Sequence, residues 1–214
     1  MPNNDIEFNT ENNLWWPKFE ERQQKHYEYH TRHLPDLDYA ISISNKRVCV
    51  QAGGNVGIWP NKLCNYYDKV ISFEPDPALF KCMEKNVTSK KVECLEYALS
   101  DEPGTLAFYR TGKSGTGYTV KDNKGVVEPP EQPITVNAIT LDSLNLEVCD
   151  AMFIDVEGFE LPLLAGSLKT IARCKPVIQV ELWLRCKEQV NAYLESINYK
   201  CVKYFGKDGI YITK

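Results

Sequence analysis

Residues 48–59, VCVQAGGNVGIW, run from a short β-branched segment through a glycine-rich turn into a helical segment. Glycine at the end of a strand lets the backbone approach a ligand closely and adopt a positive φ. The N–H groups of the following helical turn then face a polar or anionic group. This stretch predicts a strand–turn–helix unit, in which the turn either binds a ligand or has a purely structural role.

The next predicted strand, VISFE at residues 70–74, ends in Glu74, 21 positions after Gly53. This is close to the spacing of about 20 residues at which an acidic side chain meets a ribose. The two carboxylate oxygens can accept both ribose hydroxyl protons. A solvent-exposed strand-end glutamate is the alternative, but Pro75 and Pro77 stiffen the turn beside it. The pair of features therefore predicts an adenosine cofactor.

The spacing of Gly53, Gly54 and Gly57 does not match the G-x-G-x-x-G pattern that admits a pyrophosphate. No GxxxxGK[ST] phosphate loop occurs either. An adenosine cofactor without phosphates therefore fits better than a dinucleotide, and an NAD dehydrogenase is disfavoured.

The rest of the chain alternates β-rich and helical segments, which is typical of parallel strands joined by crossover helices. We expect an α/β fold with a mostly parallel sheet and a C-terminal antiparallel hairpin strand, formed around residues 206–209. Predicted helices cover about 77–86, 161–172 and 187–196, and a further helix contains Pro60 near its first turn. Residues 111–133 carry too many Gly and Pro for regular structure, and Gly112 to Gly117 with Tyr118 are interpreted as an acceptor-binding lid or a flexible loop.

Two regions are expected: an N-terminal tail and helical extension at 1–45, and the main domain at 46–214. The polar, Asn-rich start predicts an irregular tail, and residues 15–33 predict a helix or helix pair that covers the mouth of a site. His26, His30 and His33 would share one face of this helix. We interpret that face as an ordinary polar surface, and favour this interpretation over a metal site or a proton acceptor. The tryptophans are expected in packing roles.

The 214 residues, 43% of them apolar, suffice for one core, and the net charge of −4 includes no basic stripe. Nucleic acid is therefore not indicated as a partner. Eight scattered cysteines without a CxxC pair predict reduced thiols. Neither a signal peptide nor a long apolar run is present, which predicts a cytoplasmic protein that does not contact membrane. The oligomeric state is left open.

Several blocks in order, VCVQAGGNVG, VISFEPDPALF, ALSDEPGTLAFY, LDSL, MFIDVEGFELPLLAG and PVIQVEL, resemble the FkbM family of methyltransferases over residues 48–182. The DVEGFE and FEPDP blocks are the distinctive ones. The resemblance implies a Rossmann-like methyltransferase fold that binds S-adenosyl-L-methionine. It also implies methyl transfer to an oxygen of a small-molecule, glycan or lipid-like acceptor.

The resemblance implies three parts of a cofactor site. These are the loop around the methionine part (Gln51, Ala52, Gly53, Gly54, Asn55, Gly57), the ribose acid Glu74 with Pro75 and Asp76 beside the adenine, and the adenine-edge segment Ala98–Leu99. Asp155 and Glu157 match the methyl-transfer end. The chain departs from the family at Gln51, where an acidic residue is typical, and at Phe153, where a lysine is typical. The amide loses a negative charge that could meet the cofactor's ammonium group.

Candidate catalytic residues are the carboxylates expected at carboxyl strand ends, Asp155, Glu157 and Glu181. Four roles remain open for them: a general base, an acceptor of a hydrogen bond from a neighbouring site residue, a helix cap and a ligand of a divalent cation. Three function classes follow: an O-methyltransferase acting on a small molecule or glycan, a methyltransferase acting on nucleic acid or protein, and a cofactor-binding module without turnover. The first is favoured because Glu74 and Asp155 are both present.

Overall fold

The computed structural model describes residues 5–110, 117–119, 132–183 and 186–214, with backbone alone for 117–119. Its strands are, in chain order, β1 (Ile6–Asn9), β2 (Leu14–Pro17), β3 (Val48–Ala52), β4 (Lys69–Phe73), β5 (Val92–Leu95), β6 (Ala98–Leu99), β7 (Gly104–Arg110), β8 (Gly117–Thr119), β9 (Ile134–Ile139), β10 (Ala151–Ile154), β11 (Val177–Glu181), β12 (Tyr199–Phe205) and β13 (Asp208–Thr213). Its helices are α1 (Gln23–His33), α2 (Asp38–Ile43), α3 (Ile58–Leu63), α4 (Pro77–Asn86), α5 (Glu160–Ala165), α6 (Leu168–Cys174) and α7 (Lys187–Ser196), with 3-10 turns at Leu34–Leu37 and Leu141–Leu144.

A central sheet has the strand order β12-β13-β11-β10-β3-β4-β5. The pairs from β11 to β5 are parallel, while β13 runs antiparallel to both β11 and β12. This confirms the predicted mostly parallel sheet with a terminal antiparallel hairpin strand. The chain leaves β3 toward β4 on one side and returns to β10 on the other. Ligands of α/β proteins bind at such a switch point, beyond the carboxyl strand ends.

The inner strands are buried on both faces, as parallel strands between helical layers must be. Alternate residues of β10 pack to opposite sides: Met152 joins a core with α5, α6 and α7, whereas Phe153 joins a core with α2 and α3. Each fully buried side chain of this size contributes about 1.5–3 kcal/mol through the area removed from water. Packing on both faces therefore fixes the strand register, and with it the position of the residues that follow each strand.

A second sheet has the order β6-β9-β7-β8. The short strand β6 pairs in parallel with β9, and β9 pairs antiparallel with β7. Its buried side chains include Ala98 and Phe108, which pack together in a small cluster. The segment predicted to contact the adenine, Ala98–Leu99, is strand β6 of this sheet. It follows β5, the edge strand of the central sheet.

The prediction of an irregular N-terminal start followed by a helix from residue 15 was wrong in part. Residues 6–17 form the β1–β2 hairpin, and the helix begins at Gln23. Asparagines build the turn: Asn13 has a φ of +57°, and the Asn12 carboxamide oxygen accepts hydrogen bonds from the Leu14 N–H and from the Trp16 indole. Asparagine tolerates a left-handed backbone and bonds to nearby backbone groups. The Asn-rich composition therefore marks a turn.

Two other predictions need correction. The single helix expected over 161–172 is two helices, α5 and α6, separated at Gly166 and Ser167; the chain passes so close to Ser100 here that an added Cβ at Gly166 would lie 1.8 Å from the Ser100 carbonyl oxygen. The irregular segment 111–133 contains the strand β8. Most of the proposed lid at Gly112 to Gly117 lies outside the described residues.

The helices predicted at 77–86 and 187–196 are confirmed as α4 and α7. Within the described ranges, no helix combines the length and apolarity needed to cross a bilayer.

Asn86, at the end of α4, joins the N-terminal hairpin to the main sheet. Its side-chain oxygen accepts a hydrogen bond from the Trp15 N–H (2.7 Å), and its amide donates to the carbonyls of Trp15 (2.9 Å) and Val56 (2.8 Å).

We expect Asn86→Ala to lower the free energy of unfolding by about 3 kcal/mol, because it removes these three hydrogen bonds and each is worth roughly 1 kcal/mol. Urea denaturation measures this. Asn65→Ala, at an exposed site, should change it by less than about 0.5 kcal/mol, and equal effects of the two variants would contradict the role of Asn86.

Candidate functional site

The glycine turn after β3 is in close contact with the ends of the two strands that flank β3, namely β4 and β10. The N–H groups of Gly53 and Gly54 both donate to the Phe73 carbonyl, at 3.0 and 2.8 Å. Gly53 has a φ of +86°, and a Cβ there would lie 1.8 Å from the backbone oxygen of Asp155. Only glycine fits this position without moving backbone.

The turn continues into α3 through Asn55 and Gly57, which both have positive φ. The Asn55 N–H donates to Oε2 of Glu74 at 2.7 Å, and the Val56 N–H donates to the side-chain oxygen of Asn55 at 2.8 Å. Gly57 then caps α3 in the left-handed conformation. The turn is therefore tied to both β4 and the segment that follows it.

Glu74 is a buried carboxylate at the centre of these contacts. Besides Asn55, it accepts a hydrogen bond from the Asp76 N–H at 2.9 Å, through Oε1. Burial raises its pKa to about 8, although the two backbone N–H bonds favour the charged form. Each oxygen has lone-pair capacity beyond the one N–H it accepts, so the carboxylate can also take hydrogen bonds from a ligand.

Asp76 is fully buried and structural in its contacts. It caps α4 by accepting the Ala78 N–H at 2.8 Å, and it accepts two hydrogen bonds from the Arg110 guanidinium, at 2.6 and 2.9 Å. A bidentate pair of this kind fixes geometry strongly. It holds the turn at Pro75 against β7, on the second sheet.

These elements enclose a cleft of about 890 Å³, a volume that includes its open mouth. Most of the predicted site residues line it: Ala52, Gly53, Gly54, Asn55, Glu74, Pro75, Ala98, Leu99, Asp155 and Glu157. Four others do not line it: Gln51, Gly57, Asp76 and Glu181. The structure therefore brings most of the predicted set into one cavity.

The predicted carboxylates come together at the carboxyl ends of β10 and β11. Burial raises the pKa of Asp155 well above its usual range, and the nearby carboxylates of Glu181, Glu157 and Asp208 raise it further. Burial also raises the pKa of Asp208, to about 6. Glu181 has the Lys207 ammonium 3.9 Å away. Within the described residues, no three His, Cys, Asp or Glu side chains are grouped so as to hold a metal ion.

Several residues of the cleft were missed from the sequence. His30 enters it from α1, and Trp59 from α3, where a packing role had been expected. Aromatic side chains supply much of the remaining wall: Phe73, Tyr97, Phe108 and Phe159. The FkbM-like blocks carry no signal for His30, which precedes them. Its position depends on how α1 packs, and that is a tertiary property.

The three histidines of α1 have different surroundings. His33 lies 2.9 Å from a carboxylate oxygen of Asp36, and His26 lies 3.0 Å from one of Glu20. His30 makes no hydrogen bond to a described residue and lines the cleft. Burial, together with the smaller effect of the neighbouring His26 and His33, lowers the pKa of His30 to about 4. The imidazole is therefore neutral near pH 7 and can accept a hydrogen bond.

Comparison with known families gives one match over most of the chain. A model described as "Methyltransferase FkbM domain" matches residues 51–201. The 2-O-methyltransferase NoeI of Sinorhizobium fredii is 27% identical over 124 residues, which cover 50% of this chain and 51% of that protein. This chain thus matches about half the length of that curated relative.

Solved structures share the fold at low identity. Methyltransferase FkbM from Methylobacillus flagellatus superposes with a TM-score of 0.55 at 13% identity, covering 78% of this chain and 43% of that one. An rRNA methylase from Streptococcus thermophilus superposes with a TM-score of 0.54 at 12% identity, covering 84% of this chain and 94% of that one. These likenesses confirm the predicted Rossmann-like methyltransferase fold.

The pKa of Glu74 gives a test of its burial. Because the pKa rises from 4.5 to about 8 on folding, the folded state holds a proton that the unfolded state has released between these values. Stability contributed by this proton is complete below pH 4.5 and is lost as the pH rises to 8. In the wild type this fall in the free energy of unfolding is at most about 1.4 kcal/mol per pH unit. We expect Glu74→Gln to abolish it.

Chemical denaturation at pH 5, 6, 7 and 8 measures the effect. The free energy of unfolding of Glu74→Gln should decline less with pH than that of the wild type. Glu93→Gln, at an exposed glutamate on β5, should keep the wild-type slope. Parallel profiles for Glu74→Gln and wild type would show that Glu74 is already ionised in the folded protein near pH 5.

Proposed function

The chain belongs to the FkbM methyltransferase family, and on that premise we propose that it transfers a methyl group from S-adenosyl-L-methionine to a hydroxyl oxygen of a small-molecule or glycan acceptor. The observation that carries the proposal is the buried Glu74 carboxylate, which closes the glycine turn through Asn55 and lines the cleft at the strand ends. An acidic side chain after the second strand, next to a turn of this kind, is suited to a ribose.

The described residues divide the cleft into parts that suit the pieces of this cofactor. Glu74 would accept the ribose hydroxyls. Pro75 and the Ala98–Leu99 segment offer an apolar wall for the adenine. The turn at Gly53 would face the methionine part, since its backbone is open to the cleft there. The lack of a dinucleotide glycine pattern and of a phosphate loop supports a cofactor without phosphates.

S-adenosylmethionine, when bound, supplies an electrophilic methyl group on a sulfonium. The protein must then align the acceptor, exclude water and take up the hydroxyl proton. The aromatic wall, with Trp59, Phe108 and Phe159, excludes water. Of the three candidate proton acceptors, Asp155 and Glu157 line the cleft. Glu181 does not line it, but its carboxylate raises the pKa of Asp155. Neutral His30, which also lines the cleft, can accept a hydrogen bond from the acceptor.

A hydroxyl acceptor is supported by the relative whose name is 2-O-methyltransferase. The net charge of −4 and the lack of a basic stripe in the sequence favour a small molecule or glycan over nucleic acid. Turnover, as opposed to binding alone, is supported by the combination of Glu74 with the cleft-lining carboxyl of Asp155. We further propose that 46–214 is the catalytic domain, and that 1–45 completes the cleft through His30.

Calorimetric titration with S-adenosylmethionine tests the cofactor assignment. We expect saturable binding to the wild type, weakened more than tenfold by Glu74→Ala, a loss of about 1.4 kcal/mol. The matched control, Glu93→Ala, removes the same charge at an exposed site and should bind within twofold of the wild type. NAD should not bind. The lack of saturable S-adenosylmethionine binding to folded wild type would contradict the proposal.

Transfer to oxygen is tested by incubating the protein with S-adenosylmethionine and a panel of monosaccharides, oligosaccharides and phenols. The expected products are S-adenosylhomocysteine and an O-methylated acceptor, both identified by mass spectrometry. Methylation of amines or of RNA in parallel incubations, with none at oxygen, would contradict the hydroxyl assignment while leaving the cofactor assignment intact.

A further inference from the structure

His30 is an imidazole that helix α1 brings into the cleft. It lies outside residues 51–201, the part of the chain that matches the FkbM model. It makes no hydrogen bond to a described residue, whereas His26 and His33 lie 3.0 and 2.9 Å from carboxylate oxygens of Glu20 and Asp36. The ring nitrogens of His30 can therefore form a hydrogen bond with a ligand in the cleft.

Contacts at both ends of α1 fix the position of His30. Before the first turn, the buried carboxylate of Glu20 lies 3.0 Å from the ring of His26. After the last turn, the Lys62 ammonium donates a hydrogen bond to the Leu34 carbonyl at 2.7 Å. Lys62 belongs to α3, which is one of the elements around the cleft. The helix therefore holds His30 at the cleft before any ligand arrives.

Tyr29, the preceding residue, shows which end of the cleft α1 covers. Its ring meets the His30 ring edge-on, with the centroids 5.5 Å apart. Burial raises the pKa of the Tyr29 phenol, and the nearby carboxylates of Glu181 and Asp155 raise it further. Because charges shift a pKa in this way only over short distances, α1 lies close to the carboxyl ends of β10 and β11. The resemblance to the family places methyl transfer at this end.

Asp155 is a poor proton acceptor at this end of the cleft. Burial and the carboxylates of Glu181 and Glu157 raise its pKa well above the usual range, and its side-chain hydrogen bond with Glu181 raises the pKa further. A carboxyl that keeps its proton cannot take up a second one. The lowered pKa of His30, about 4, leaves its imidazole neutral near pH 7. A neutral imidazole has one ring nitrogen with a free lone pair.

We propose that His30 is a catalytic residue, which takes up the proton of the acceptor hydroxyl during methyl transfer. This rests on the proposed use of S-adenosylmethionine. The acceptor oxygen forms a bond to the methyl carbon, the carbon–sulfur bond breaks with its electron pair staying on sulfur, and the O–H proton passes to the imidazole. A weak base suffices, because the hydroxyl becomes strongly acidic as its oxygen bonds to carbon. The imidazole then releases the proton to water.

Acceptors of different acidity distinguish a proton acceptor from a structural residue. At pH 8.5 phenol keeps its proton, whereas 4-nitrophenol is largely ionised and has none to give up. We expect His30→Gln to lower kcat about 100-fold or more for phenol and for methyl glycosides, as loss of a general base does, and less than about threefold for 4-nitrophenol. Calorimetry should show S-adenosylmethionine binding within twofold of the wild type. His33→Gln, one turn later on α1 and outside the cleft lining, should keep every rate within twofold.

Equal losses for phenol and 4-nitrophenol in His30→Gln would show a structural effect and overturn the assignment, as would an unchanged rate for phenol. A selective loss for phenol in Glu157→Gln, with none in His30→Gln, would place proton uptake on Glu157 and also overturn it. Failure of the wild type to bind S-adenosylmethionine, or to methylate any hydroxyl compound, would instead refute the proposed function on which the assignment rests.

Chemical rescue gives a second test, which needs only one hydroxyl acceptor and a different variant. His30→Ala removes the imidazole, and free imidazole can enter the cleft in its place. Added imidazole should raise kcat of this variant at least fivefold with a methyl glycoside or with phenol, and should leave the wild type unchanged. No recovery in His30→Ala, once circular dichroism and thermal unfolding show that the variant is folded, would overturn the assignment.

Discussion

The close contact between Gly53 and the backbone of Asp155 is the constraint on which the site depends. An added Cβ at Gly53 would lie 1.8 Å from that carbonyl oxygen, so the ends of β3 and β10 can meet only through a glycine. The contact places the carboxyl-bearing residue that follows β10 beside the turn that follows β3. The same turn is tied to β4 through the Phe73 carbonyl and through Glu74. Three adjacent strand ends are thereby fixed relative to one another, and the cleft lies over them.

Buried carboxylates give this edge of the sheet its electrostatic character. Burial raises the pKa values of Glu74 to about 8 and of Asp208 to about 6, and it raises that of Asp155 well above its usual range. A protein keeps such groups at a cost in stability. A ligand with hydroxyl donors and a positive charge would offset that cost, and S-adenosylmethionine has both. The energetics of the unliganded site are therefore consistent with the proposed cofactor.

Much of the fold was predictable because it depends on local sequence patterns. The spacing of Gly53 and Glu74, the strands with β-branched residues and the helices α4 and α7 each depend on neighbouring residues in the chain. The hairpin β1–β2 was missed because an Asn-rich turn resembles a disordered tail in composition. The break between α5 and α6 depends on how Gly166 meets Ser100, 66 positions away, which no local pattern reports.

The residues of the site likewise divide into those whose position a local pattern predicts and those whose position depends on tertiary packing. Glu74 and Asp155 each follow a strand, and both lie at the cleft because parallel strands end at one edge of the sheet. The sequence could not reveal that Gln51 and Asp76 turn inward to hydrogen-bond partners, or which of the three histidines of the N-terminal helix lines the cleft. Those outcomes depend on tertiary packing and on the competition among buried donors and acceptors.

A crystal structure of the chain with S-adenosylhomocysteine tests the central claim most directly. The account predicts the ribose hydroxyls within hydrogen-bond distance of the Glu74 carboxylate, with the amino-acid part along the turn at Gly53. Ordered ligand elsewhere, or in the cleft with its ribose away from Glu74, would contradict it.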